Sequence, residues 1–290
     1  LGGMEACGGA PDWARELQGL GHEVTVRPPQ FVKAFVRGNQ TDYNDALAIA
    51  EAVVRPERRG VAVKTMAQLD IQALHRLREQ CVAARTALGN QLRGLLAEHG
   101  IVLSPGIGNV RRCLPALLED AENGLSDLFR RLLAQGYQRL QEQDAHIARY
   151  TTELKRQSQQ DAACQRLQTI PGYGPIVASV FHSTVGDGQA YRRGRDVSAS
   201  LGLVPRQHSS GGKSVLLGIS KRGDRYLRSL LVHGARSVVR QAARKDDRLS
   251  RWINRIKAER GHNKAVVALA NKLARIGWAV LYNRSTYQAA

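Results

Sequence analysis

Apolar residues recur at helical spacing along most of this chain. From Met66 to His99, Leu69, Leu74, Leu77, Cys81, Leu88, Leu92 and Leu95 fall roughly on one stripe. That stripe predicts a long amphipathic helix, ended by Gly100. A linker with Pro105, Gly106 and Gly108 follows, then a short helix over about 115–122. Leu128, Leu132, Leu140, Ile147, Tyr150 and Leu154 predict a second long helix over about 126–160. Two long helices joined by a compact linker make an antiparallel hairpin arm. Such an arm is either a spacer or a dimerising surface. Beyond a break at 167–175, the pattern is helical again over about 176–184, 221–245, 248–260 and 263–282. There is no internal repeat and no low-complexity tract.

The first sixty residues read differently. Residues 4–20 predict a helix with Trp13, Leu17 and Leu20 on one face, ended by Gly19 and Gly21. Residues 22–26 predict a short strand, stopped by Pro28 and Pro29. Thr41 and Asp42 then cap a helix from about Tyr43 to Val54. This is a helix–strand–helix piece of an α/β domain, and one strand makes no sheet, so an incomplete domain is expected. The predicted fold is therefore mainly α, in three parts. They are an incomplete α/β fragment at 1–63, a helical hairpin arm at 64–163, and a mostly helical C-terminal domain at 164–290.

Charge changes the picture. The chain carries 43 basic and 25 acidic residues, a formal net charge of +18. Residues 1–70 hold 8 basic and 9 acidic side chains, whereas residues 191–260 hold 18 and 5. Concentration of that kind points to a polyanion, most simply nucleic acid. The best apolar run, Ala265 to Tyr282, is broken by Asn271, Lys272 and Arg275, and no signal peptide is visible, so no membrane partner is expected. Cys7, Cys81, Cys113 and Cys164 have no CxxC spacing and no His at zinc-ligand spacing. They read as buried thiols of a reducing, cytoplasmic compartment.

The candidate chemistry sits in the basic part. In Arg206-Gln207-His208-Ser209-Ser210-Gly211-Gly212-Lys213 a serine pair lies on a glycine-rich, exposed turn. Glycines let the backbone approach a ligand, and the flanking Arg206 and Lys213 suit phosphate. A hydroxyl presented there suits a phosphoryl-transfer nucleophile, and an ordinary polar loop touching phosphate fits the same residues. His208 is a sequence neighbour of the serines, and no hydrolase triad is read from it. Lys221, Arg222, Arg225 and Arg228 add cations next to Asp224, which caps a helix or pairs with an arginine. Ile170-Pro171-Gly172-Tyr173-Gly174-Pro175 is either a plain helix–helix turn or a helix-hairpin-helix element whose amides face a phosphate. Asp42 and Asp45, three apart, share a helical face, as simple dipole partners or as ligands for a hard cation such as Mg2+. Glu5 joins them only if the fold brings it near.

In order, the chain carries Thr41-Asp42-x-x-Asp45-Ala46, then the helical arm, then Ile170-Pro171-Gly172-x-Gly174-Pro175. It continues with Leu201-Gly202-Leu203-x-Pro205, Ser209-Ser210-Gly211-Gly212-Lys213 and Ile219-Ser220-Lys221-Arg222-Gly223-x-x-Tyr226-Leu227-Arg228. This ordered set, over nearly the whole chain, resembles the DEDD transposases of the insertion-sequence 110 and 1111 class. The resemblance implies a RuvC-like N-terminal domain of the ribonuclease H type, with four acidic residues that bind Mg2+. It implies a coiled-coil arm used in assembly of a homodimer or tetramer. It further implies a C-terminal serine that links covalently to DNA, and recombination guided by a structured RNA in a prokaryotic, nucleoid-associated setting. By motif, Glu5 corresponds to the second acid, Asp42 and Asp45 to the third and fourth, and Ser210 to the nucleophile, with Ser209 its rival. Gly172, Gly174, Arg206, Lys213, Lys221, Arg222, Arg225 and Arg228 are the expected DNA contacts. The family's first Asp lies tens of residues before its Glu, whereas this chain begins four residues before Glu5. The expectation is an N-terminally truncated chain that binds nucleic acid and fails to recombine it. Two other readings keep the charge without the serine chemistry: a metal-dependent RuvC-like nuclease, and a non-catalytic nucleic-acid-binding protein.

Overall fold

A computed structural model of the chain describes residues 1–39, 41–55 and 60–289, and helices dominate it. It divides into two compact units, one of residues 71–160 and one of residues 1–70 with 161–290.

At the start, strand β1 (Gly2–Glu5) pairs in parallel with β2 (Val24–Arg27), setting Glu5 beside Arg27. Helix α1 (Ala10–Gly19) makes the crossover between them. Two expectations are corrected: residues 4–20 are not one helix, and the strand is not alone. Gly8 and Gly9 are the reason, because Gly9 takes φ 85° and the helix begins only after it. Ala10 and Ala14 are the residues that α1 buries, while Trp13 and Leu20 stay exposed. Helix α2 (Pro29–Val32) and a 3-10 turn at Lys33–Phe35 lead to α3 (Asp42–Val54). Val32, Ala48 and Ala52 form a small core there. The C-terminal end of α3 is the pinned end. Val53 packs on Gly3, and Arg27 Nη2 donates to the carbonyls of Val53 and Arg55 at 3.1 and 3.2 Å. Asp42 lies roughly 16 Å further along the helix axis.

The arm consists of α4 (Met66–Glu98), α5 (Ile107–Glu119) and α6 (Asp127–Gln160). Arg78 bonds Thr151, Arg85 pairs with Asp144, and Leu92 packs on Gly136, so the numbers rise on one helix as they fall on the other. The long helices are therefore antiparallel. The buried stripe keeps Leu92, Leu140, Ile147 and Leu154 of the expected one and departs from it elsewhere. Phe129, Leu133 and Leu140 enter the core with Leu92 and Leu96, whereas Leu77, Leu95, Leu128 and Leu132 are exposed. Helix α5 starts eight residues before the expected position and carries Pro115 inside it. Burial of Val110 and Leu114 on the hairpin holds that helix despite the hydrogen bond a proline removes.

The C-terminal part holds α7 (Ala162–Gln168), α8 (Pro175–Val185), α9 (Gly194–Ser200), β3 (Pro205–Ser210) and β4 (Lys213–Ile219). Helices α10 (Arg225–Gln241), α11 (Arg248–Arg260) and α12 (His262–Tyr282) complete it. Helix α12 is the centre: Leu269, Ala270, Leu273 and Ala274 are buried, and Leu273 O accepts a bond from Tyr173 Oη at 3.1 Å. It is long and apolar enough to cross a membrane by length and composition, but half of that window is buried in this core. The expected mostly helical domain omitted the β3–β4 hairpin. Its strands are almost wholly exposed and polar on β3, so no apolar alternation announces them. Helix α10 begins at Arg225 rather than Lys221 and ends at Gln241 rather than Lys245, with Asp224 accepting from Leu227 N–H at 3.0 Å as its cap.

Backbone meets backbone where the 170–174 turn touches α10. A Cβ added to Gly234 would lie 2.3 Å from the Gly172 carbonyl oxygen. Gly234→Ala should therefore destabilise the protein by about 1–3 kcal/mol, the range for overpacking. Helix propensity alone would favour alanine by about 1 kcal/mol, so thermal unfolding of the two proteins distinguishes the contributions by sign.

Candidate functional site

The β3–β4 hairpin turns through Gly211 and Gly212, at φ 55° and 77°. Positive φ at both central residues suits the twist of a two-residue hairpin turn and costs glycine nothing. Ser210 pairs with Lys213, Ser209 with Ser214, and His208 with Val215. Residues directly opposed across antiparallel strands share a face, and neighbours along a strand alternate. Ser210, Lys213 and His208 thus lie on one face, and Ser209, Ser214 and Gln207 on the other. Gln207 Nε2 donates to Ser209 Oγ at 2.8 Å, which occupies that hydroxyl on its own face. Ser210 has a lysine opposite and a histidine two residues along. All of these residues are exposed.

The hairpin is anchored at its open end. Ser220 N–H donates to Val204 O at 2.8 Å, and Lys221 N–H to Gly202 O at 3.1 Å. Lys221 takes φ 57°, and Gly223 sits so close to Ser200 that an added Cβ would lie 1.8 Å from its carbonyl oxygen. Lys221, Arg222 and Arg225 stand exposed around this joint, as does Arg206 on β3. Arg228 is different: its Nη1 donates to the carbonyls of Leu201 and Arg222 at 3.0 and 2.8 Å, so it holds the joint together. Gly172 is likewise explained by its contact with α10. Gly174 is the N-cap of α8 with open space around it.

The three carboxylates are placed as follows. Glu5 ends β1, and Asp42 and Asp45 occupy the first turn of α3. Thr41, not Asp42, makes the cap, accepting from Asn44 N–H at 3.2 Å. Among the described residues none of the three carboxylates takes part in a hydrogen bond or ion pair, and Arg27 beside Glu5 turns instead to the carbonyls of α3. Oxygen donors without cationic partners fit a hard divalent ion chemically. The three do not form a cluster with ligand atoms all within 4.8 Å of one another; among the described residues Asp161, Cys164 and His182 do.

No sequence motif announces that triangle. Cys164 and His182 are distant in sequence and are joined by the α7–α8 turn; the only local signal was Asp161, three residues before Cys164. Asp161 Oδ1 accepts from the N–H groups of Ala163 and Cys164 at 2.7 and 3.4 Å, capping α7. Its Oδ2 meets His182 Nδ1 at 2.6 Å and accepts from Cys164 Sγ at 3.3 Å. Burial pushes the Asp161 carboxyl up, but the His182 hydrogen bond and charge, the thiol and the Ala163 N–H together hold it well below the usual carboxylate range. Mixed O, S and N donors would suit a zinc-like ion better than Mg2+; as it stands, the hydrogen bonds tie α7 to α8. Of the four thiols only Cys164 is buried; Cys7 is exposed and Cys81 and Cys113 are partly so, which corrects the expectation of four buried thiols.

Comparison with known proteins gives concordant results. A family model described as Transposase, of the DEDD IS110 kind, matches residues 3–101. One described as Transposase IS116/IS110/IS902 family matches residues 164–250. The transposase for insertion sequence element IS1111A of Coxiella burnetii is 46% identical over 285 residues, covering 98% of this chain and 78% of the relative. A probable family 20 transposase of Pseudomonas aeruginosa is 46% identical over 286 residues, covering 98% and 85%. The transposase for insertion sequence element IS1328 of Yersinia enterocolitica is 45% identical over 280 residues, covering 96% and 82%.

Asp161→Ala should lower stability by about 1 kcal/mol at neutral pH, the usual value of an N-cap. Because the folded state depresses this carboxyl's pKa, its contribution is complete above the unfolded value near 4 and is lost as pH falls below it. Urea unfolding should give a gap between wild type and variant that is narrower at pH 3 than at pH 7. An unchanged gap would contradict the role of the charged form.

Proposed function

Because this chain belongs to the insertion-sequence transposases of the IS110 and IS1111 type, we propose that it cleaves and rejoins DNA through the hydroxyl of Ser210. The observation that supports the choice is the hairpin register, which sets Ser210 against Lys213 at an exposed tip. Ser210 Oγ attacks a backbone phosphorus, the Oγ–P bond forms, and the bond from phosphorus to a bridging ester oxygen breaks. The Oγ proton leaves to a base, for which His208 is the nearest candidate on the same face, and the departing oxygen takes up a proton. Lys213 and Arg206 offset the charge that builds on the phosphoryl oxygens. Return of the freed oxygen to the Ser210-linked phosphorus reseals DNA and releases the serine. Lys221, Arg222 and Arg225 hold the flanking phosphates, which gives affinity without reading sequence.

Glu5, Asp42 and Asp45 would hold a divalent ion, for which we propose Mg2+. When bound it would supply positive charge beside the reacting phosphate. The arm's outward Leu77, Leu95, Leu128 and Leu132 are the surface we propose for assembly into a homodimer or tetramer. A guide RNA that selects the target is part of the same reading, resting on the family resemblance.

With DNA carrying the element's ends, Ser210→Ala should abolish the covalent protein–DNA adduct seen on a denaturing gel and leave DNA binding within about twofold, since no charge is removed. Ser209→Ala should retain the adduct. Loss on Ser209→Ala alone would move the nucleophile by one residue, and retention in both would refute the serine mechanism.

A further inference from the structure

Behind the hairpin lies a cleft of about 1350 Å³, bounded by α9, β4, α11 and α12. Six cations line it: Arg193, Arg195, Arg260, Lys264, Lys272 and Arg275. No acidic side chain is among its described lining residues. Arg193 pairs with Asp196 at 3.2 Å, and the other five have no ion pair among the described residues. The walls between them are apolar, with Leu203, Leu216, Leu217, Ile276 and Trp252 among them. Lys272 Nζ stands 4.3 Å from the centre of the Trp252 ring, and burial, with Arg248 and Arg275 nearby, lowers its affinity for a proton.

Uncompensated cations sharing one cleft repel each other, and an anion entering it relieves that repulsion. The apolar walls narrow the choice of anion. A base pair inside a duplex has its faces stacked and hidden, and a duplex offers a protein chiefly phosphates and groove edges. An unpaired nucleotide offers an apolar face and a phosphate together, and cationic grooves with aromatic and apolar walls hold such strands. Leu217, on the same face of β4 as the core-packed Ile219, is 42% exposed, so the wall is open to an occupant.

We infer that this cleft is the seat of an unpaired stretch of nucleic acid, with phosphates on Arg260, Lys264 and Arg275 and bases against the wall formed by Leu217 and Ile276. The inference rests on the reading that the chain handles nucleic acid, and is independent of the serine chemistry. It separates two functions within the basic region: duplex phosphates meet the exposed hairpin and its joint, and the unpaired strand lies in the cleft.

The test uses the whole chain and fluorescence anisotropy of labelled oligo-dT and oligo-U of about 15 nucleotides, beside a duplex. Arg260→Ala combined with Lys264→Ala should weaken single-strand binding about tenfold or more, and reduce the slope of log K against log salt by about 1.4, at roughly 0.7 per lost phosphate contact. Duplex affinity should stay within about twofold. Leu217→Glu, on a strand position that is 42% exposed, should reproduce the single-strand loss, with unchanged thermal unfolding as the fold control. Loss for both oligonucleotides supports a seat for either strand chemistry, and loss for only one assigns the cleft to DNA or to RNA. Equal loss for duplex and single strand, no loss for either, or equal competition by poly-glutamate would overturn the inference. A wild-type chain that binds no nucleic acid at all would instead overturn the proposed function.

Discussion

The C-terminal domain depends on places where two stretches of backbone touch with no side chain between them. Gly234 of α10 lies against the carbonyl of Gly172, Gly202 lies against Arg222, and Gly223 lies against Ser200. Each contact is closer than any Cβ would permit. The first fixes the 170–174 turn to α10, and the other two fix the α9 end to the 220–223 segment. The β3–β4 hairpin has no core of its own, since its strands are nearly all exposed. Its position is inherited from this joint, through Ser220 and Lys221 at one end of β4 and Val204 before β3. A reactive serine on an otherwise unsupported hairpin needs such an anchor if it is to meet a phosphate in a repeatable geometry.

The acids of this basic region are used locally. Of its acidic side chains, Asp224 and Asp247 are helix caps, and Asp196 and Asp246 pair with arginines close in sequence. Those acids are therefore engaged locally and do not neutralise the hairpin or the cleft. Arg228 shows that the count of cations is not a count of phosphate contacts, because its guanidinium is bonded to two backbone carbonyls.

The long helices and the caps at Thr41 and Asp224 were legible, because periodicity and capping are local signals. What was not legible depended on distant partners. Strand β1 is four residues with two glycines, and only pairing with β2 makes it a strand. In the first turns of α6 the buried face is shifted by one residue from the expected one: Leu128 and Phe129 are both apolar, and α4 and α5 decide which is buried. Strand β3 is polar on both faces, so nothing in its composition distinguished it from a loop. The Asp161–Cys164–His182 triangle closes across a helix turn, which no spacing rule reaches. In the cleft, Lys264, Lys272 and Arg275 repeat on one face of α12, a local pattern masked by the many other cations around it.

The central claim is that the face of the hairpin bearing Ser210, rather than the one bearing Ser209, carries the chemistry. The most direct measurement is mass spectrometry of the protease-digested covalent complex with DNA. A nucleotide mass localised to the Ser210 side chain is the expected result. The same mass on Ser209, or on any residue outside the hairpin, would contradict the account.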